Sequence, residues 1–122
     1  MRLLICGNRY WSDKEAIKNV LVTLSPTVLI EGEAPGADTL SRICAEEMNI
    51  PVLKFSADWK KFGRAAGPIR NKQMLDKGKP NLVVAFHDNI AESKGTKNML
   101  AQAKKAGVCT MLYNKGFLEE KT

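Results

Sequence analysis

Short apolar runs alternate with stretches of helical period along almost the whole chain, and that alternation leaves few folds open. Residues 2–6 (RLLIC) read as a strand ended by Gly7. SDKEAIKNVLVTL follows, with Ser12 or Asp13 placed to cap a helix and Ala16, Ile17, Val20, Leu21 and Leu24 on one face. Pro26 stops that helix, and TVLIEG at 27–32 is a second strand. ADTLSRICAEEMN repeats the scheme with Leu40, Ile43, Cys44 and Met48 inward, and PVLKFS at 51–56 is a third strand. A longer connection from Ala57 to Pro68 leads to a short helix over 69–77. NLVVAFH at 81–87 is the most apolar run and is expected at the centre of a sheet. A helix over 96–106, ended by Gly107, and a strand at 108–113 complete the pattern.

Strands separated by helices require crossover connections, and right-handed crossovers cover both faces of a parallel sheet. The expected fold is therefore α/β, a three-layer Rossmann-like sandwich. Its five-stranded parallel sheet is expected in the order 3-2-1-4-5, by analogy with dinucleotide-binding folds. The 122 residues fit one domain, assigned to 1–114, with 115–122 as a C-terminal tail expected to fray.

The formal net charge of +6 favours a polyanionic partner, either nucleic acid or a phosphorylated small molecule. Its lysines are scattered, however, with no run of five or six like charges and no basic arm. A merely solvated surface accounts for such a distribution equally well. The odd count of three cysteines, with no C-x-x-C, argues against a disulfide framework and against zinc, and no metal is expected. Cys6, Cys44 and Cys109 each read as small buried hydrophobes. With neither a signal-type N-terminus nor an apolar run long enough to span a bilayer, the expectation is a cytoplasmic protein with no membrane partner.

In such sheets ligands bind beyond the carboxyl ends of the strands, where strand order reverses. Three glycine-bearing connections leave those ends. They are Gly7-Asn8-Arg9-Tyr10-Trp11-Ser12-Asp13, Gly32-Glu33-Ala34-Pro35-Gly36-Ala37-Asp38, and Glu92-Ser93-Lys94-Gly95-Thr96. Each enters a helix, and free N–H groups at a helix start suit a phosphate. Arg70, placed in the first turn of its helix, is poorly sited for a cation unless it meets an anion. The alternative for Arg70 is a surface ion pair with Asp38 or Asp58. Trp59, Trp11 or Tyr10 could stack on a base or close the edge of the core. The single histidine, His87, reads as structural. Of the acids at this edge, Glu31 is the most suggestive because it ends an otherwise apolar strand.

The segments GNRYWSD, EGEAPGAD, SADWKKFGRAAGPIRNKQM and SKGTKNM resemble the YspA/YpsA-related branch of the SLOG superfamily, small Rossmann-like proteins common in phages and bacteria. The likeness runs from Leu3 to about Leu112, and AGPIRNKQM and SKGT are its most specific parts. The superfamily includes nucleotide-sensing modules, DNA-handling proteins of the DprA type and the Lonely-guy phosphoribohydrolases. In those hydrolases an arginine in an R-K/N-x-x-M segment and a glutamate in a GGxGTxxE motif carry catalysis. Arg70, Asn71 and Met74 match the first segment, and Gly95-Thr96 match the glycine-threonine pair that cradles phosphate. The glutamate position falls on Met99, so that acid is missing. Where the branch reads like HGGARGAD, this chain has Glu31, Glu33 and Pro35 in place of the histidine, second glycine and arginine. Two carboxylates there would repel a phosphate and suit a ribose, a base edge or a cationic group instead.

The expected ligand-binding set is Gly7, Asn8, Arg9, Gly32, Gly36, Ala37, Asp38, Trp59, Arg70, Asn71, Ser93, Lys94, Gly95 and Thr96. The expected function is binding of a nucleotide or nucleotide-derived ligand without turnover and with no cofactor. The alternative is N-glycosidic hydrolysis of a nucleoside monophosphate, with Glu31, Glu33 or Glu92 as the acid. A third reading, nucleic-acid binding, is disfavoured by the scattered lysines. The resemblance also permits a homo-oligomer.

Overall fold

The computed structural model describes residues 1–120. The elements follow in the order β1 (Arg2–Gly7), α1 (Lys14–Leu24), β2 (Val28–Glu31), α2 (Ala37–Glu47), β3 (Val52–Lys54), α3 (Trp59–Phe62), α4 (Ala66–Gly78), β4 (Leu82–Phe86), α5 (Lys94–Lys105), β5 (Cys109–Asn114) and β6 (Phe117–Glu120). One sheet is formed in the order β3-β2-β1-β4-β5-β6. β1 to β5 pair in parallel, in the expected order, and β6 adds an antiparallel edge to β5.

The apolar runs fill both faces because helices cover both. Leu3, Ile5, Leu29, Val84 and Phe86 pack under α1 and α2 with Ile17, Leu21 and Cys44. Leu4, Cys6, Ile30, Val83 and Ala85 pack under α4 and α5 with Met74, Leu75, Met99 and Ala103. Phe86 has no exposed surface, and burial of such a side chain contributes on the order of 2 kcal/mol. Asp13, rather than Ser12, caps α1, its carboxylate accepting from the Ala16 amide at 3.1 Å. Among the described residues no helix is long and apolar enough to cross a membrane.

Four expectations are corrected. The sheet has six strands of mixed direction, because 115–120 is not a fraying tail. Lys115 (φ 50°) and Gly116 (φ 87°) are both left-handed, the conformation of a two-residue hairpin turn, and they fold Phe117–Glu120 back onto β5. Residues 121 and 122 of the expected tail lie outside the described residues. The helix expected over 69–77 begins earlier, at Ala66, because Pro68 is tolerated in a first turn; Arg70 therefore stands in the second turn. The helix expected from 96 begins at Lys94, with Ser93 as its cap. Cys6 and Cys44 are buried as expected, but Cys109 is exposed.

Candidate functional site

Strand order reverses at β1, whose neighbours are β2 and β4, and the connections leaving β1, β2 and β4 meet beyond that point. They are locked together by backbone. The Asn8 amide donates to Phe86 O at 2.8 Å, and Asn8 O accepts from the amides of Trp11 and Ala37 at 3.0 and 3.1 Å. Gly36 (φ 77°) lies so close to the first connection that an added Cβ would fall 2.3 Å from Asn8 O. At Gly7 (φ 154°) it would fall 2.2 Å from Phe86 O. Both positions need glycine for space and conformation together.

The connection after β2 is organised by two carboxylates. Asp38, in the first turn of α2, accepts from the Gly32 and Ala34 amides at 3.0 and 3.3 Å through Oδ2. Burial pushes its carboxyl up to about 6, against the lowering effects of the Ala34 amide, the Arg70 charge and the Gly32 amide. Glu31 is fully buried, and its Oε1 accepts from the Glu33 amide at 2.7 Å. Its Oε2 has no hydrogen-bond partner among the described residues. Burial pushes Glu31 up to about 7, opposed by the Glu33 amide and reinforced by the charges of Asp38 and Glu33.

The connection after β4 ends at α5. Ser93 Oγ accepts from the Thr96 amide at 3.0 Å, which leaves the Lys94 and Gly95 amides of the first turn with no helical carbonyl to bond. His87 accepts at Nδ1 from the Asn89 amide at 2.9 Å, so the neutral ring carries its proton on Nε2. Burial lowers its pKa and favours that neutral form, against the charges of Asp88 and Glu92.

α4 brings Arg70 into the middle. Its Nη1 donates to Gly32 O at 2.6 Å and its Nε to Asn71 Oδ1 at 3.2 Å. Asn71 donates in turn to Asn98 Oδ1 at 3.1 Å, which also accepts from Gln102 Nε2 at 2.7 Å. This amide chain ties α4 to α5 and sets the plane of the guanidinium. Arg70 makes no ion pair with Asp38 or Asp58; ion pairs form instead between Lys14 and Glu47, Arg42 and Glu46, and Lys72 and Asp76.

Two cavities result. The first, about 450 Å³, is walled by Gly7, Asn8, Arg9, Asp38, Arg70, Asn71, Glu92, Ser93, Lys94, Gly95 and Thr96. The second, about 440 Å³, is walled by Arg9, Gly32, Glu33, Ala34, Ser56, Trp59 and Arg70. Arg9, Ala34 and Arg70 belong to both. Each is of the size that small-molecule sites commonly have. Glu31, Gly36 and Ala37 wall neither. Period-two alternation puts Glu31 on the same face as Leu29, against α2 and away from the cleft, while Gly36 and Ala37 join two connections. Of the three expected acids, Glu33 and Glu92 each line a cavity and Glu31 lines neither.

The expected binding set lacked Tyr10, Met74, His87 and Met99, which stand on the wall of the first cavity, and Asn98 and Gln102 behind it. The spacing of Asn71, Asn98 and Gln102 carries no signal until α4 and α5 are seen to be neighbours. Trp11 closes the core edge, with ring centroids 5.6 Å from Phe86 and 5.9 Å from Tyr113. Tyr10 and Trp59 remain 81% and 60% exposed, and thus free to meet a ligand. Cys6 lies on the wall, but burial drives its thiol pKa far up, so it is no nucleophile. Among the described residues no group of three or more His, Cys, Asp or Glu could hold a metal ion.

Comparison with known proteins agrees with this architecture. The structure of DNA processing protein A (DprA) from Streptococcus pneumoniae superposes with a TM-score of 0.75 at 14% identity, covering 91% of this chain. The chain spans about half, 49%, of that protein, and the likeness is one of fold. The Gene 61 protein of Mycobacterium phage D29 is 32% identical over 117 residues, covering 88% of this chain and 91% of that relative. Residues 1–62 match the family described as YAcAr, the YspA, cpYpsA-related SLOG family. Together with the nearly full-length phage relative, that match places the chain in the YspA, cpYpsA-related SLOG family.

Proposed function

We propose that the protein binds a nucleotide or nucleotide-derived ligand in the first cavity, with a phosphate at the start of α5, and does not turn it over. The observation that carries this reading is the convergence of Arg9, Arg70, Lys94 and the first-turn amides of α5 on one cavity. Positive charge gathered around unbonded amides at a helix start is the usual environment of a bound phosphate. One face of the Arg70 guanidinium is held by Gly32 O and Asn71, which leaves Nη2 to grip an anion. Thr96 and Ser93 add hydroxyls.

The missing glutamate supports binding without turnover, with Glu92 and Asp38 the carboxylates that line the cavity. Met99 stands where related hydrolases carry a glutamate, and it packs into the core. Oδ2 of Asp38 is committed to two loop amides, which makes Asp38 a positioning residue for the connection after β2.

One observation favours hydrolysis as a second reading. Asp38, with its carboxyl near 6, and neutral His87 line the same cavity and could share proton transfers. Proton NMR of the protein with nucleoside monophosphates, followed over hours, separates the two. Line broadening with no new signals is expected for a binder; growing free-base resonances, absent with Arg70→Ala, would establish an N-glycosidase instead. Arg70→Ala is expected to weaken binding by about 1.5–3 kcal/mol, the range for charge-assisted bonds. Unchanged affinity in that variant removes Arg70 from the site.

A further inference from the structure

The second cavity differs from the first in setting an exposed indole beside a carboxylate, with no lysine on its wall. Its distinctive side chains are Glu33, Ser56 and Trp59, and it meets the first cavity at Arg9 and Arg70. Trp59 is held on a short helix, yet 60% of it is exposed. The indole lies over Gly67 of α4, where an added Cβ would fall 3.4 Å from its tip, so a bare stretch of helix backs the ring. Glu33 adopts φ 57°, a left-handed conformation that a side chain takes up only at a cost. Its Oε2 accepts from the Ser56 hydroxyl, which braces the carboxylate at the cavity wall and leaves Oε1 to accept from a ligand.

A carboxylate at this wall repels phosphate, and a largely exposed indole offers a flat apolar surface. Building on the phosphate-binding reading above, we propose that the second cavity selects the base of the ligand. A planar nitrogen heterocycle stacks on Trp59 and donates an edge N–H to Glu33, while its phosphate lies across Arg9 and Arg70 in the first cavity. The two cavities thus impose a direction. Glu33 disfavours phosphate at the base end, and Lys94 with the start of α5 draws it to the other, across the arginines at the junction.

The test is titration calorimetry of the full chain with ribose 5-phosphate, AMP, GMP and CMP, repeated with Trp59→Ala and Glu33→Gln. At least one nucleotide is expected to bind roughly tenfold or more tightly than ribose 5-phosphate, the gain that stacking on an aromatic ring supplies. In Trp59→Ala that ratio is expected to fall toward one. In Glu33→Gln it is expected to fall about tenfold or more for the best base, the scale of one hydrogen bond to a charged acceptor. If ribose 5-phosphate binds but no nucleotide binds better, or if Trp59→Ala keeps the wild-type ratio, base selection here is overturned and the phosphate site stands. If none of the four ligands binds, the nucleotide reading falls and this inference falls with it. The exposed position of Trp59 keeps the Ala variant foldable.

Discussion

The turn into α2 is packed shut, whereas the turn into α5 stands open. At Gly36 an added methyl carbon would meet Asn8 O at 2.3 Å and the Arg9 carbonyl carbon at 2.4 Å; at Gly95 nothing lies within 4 Å. Around the first turn two carboxyls are buried and raised, Glu31 to about 7 and Asp38 to about 6. Around the second the charged groups, Lys94 and Glu92, are exposed. Both turns begin a helix on the same rim and both carry glycine, but one glycine serves the backbone that frames the cleft and the other faces its free space. A glycine at a strand-helix turn therefore says little about ligands until its neighbours are known.

Substitution at the closed turn should have the largest effect. Gly36→Ala would force a backbone clash and a left-handed alanine, and it is expected to destabilise the protein by at least about 3 kcal/mol in urea unfolding. A loss below about 1 kcal/mol would mean that the turn can relax and is not locked.

The buried carboxyls of the same region set a pH dependence. Glu31 titrates near about 7 in the folded protein and near 4.5 otherwise, so between those values the folded state holds a proton that the unfolded state has lost. Stability must then fall as pH rises through that window, and Asp38 acts with the same sign from 3.8 to about 6. Glu31→Gln should raise stability at pH 8 by about 1–3 kcal/mol, change little at pH 4, and flatten the slope between. A variant less stable than wild type at pH 8 would show that the Glu31 charge is compensated.

The open turn should respond least in stability and mainly in binding. Gly95→Ala stands in a helical first turn with free space around it, so unfolding is expected to shift by no more than about 0.5–1 kcal/mol, toward greater stability. Affinity for a phosphate-bearing ligand should nonetheless fall several-fold, because the methyl group occupies the approach to the first-turn amides. Equal affinity would place the ligand elsewhere in the cleft and remove the contrast between the turns.

Much of this architecture was legible in local pattern. The five parallel strands are mostly apolar, and their order follows the expected 3-2-1-4-5. The arginine of AGPIRNKQM does reach the rim where glycine-bearing connections gather. The sixth strand was missed because FLEE is too short and polar to read as a strand; only the left-handed pair Lys115-Gly116 marks its turn. Glu31 looked like an acid at the ligand edge because its place at the end of β2 is visible. The face it points to is decided by the register of the strand.

The sequence by itself determined the layers of the fold, since apolar period and helix signals are local properties that survive in any context. It also determined that glycines, hydroxyls and cations would sit at the carboxyl ends of strands, because parallel connections leave no other place for them. Tertiary structure alone decided which of those groups share a cavity. It set Arg70 between two chambers, tied it through Asn71 and Asn98 to a helix nearly thirty residues away, and turned Glu31 out of the cleft. The physical reason is that a site is a set of distances between segments remote in sequence, and packing of both sheet faces fixes those distances only when the whole core has formed.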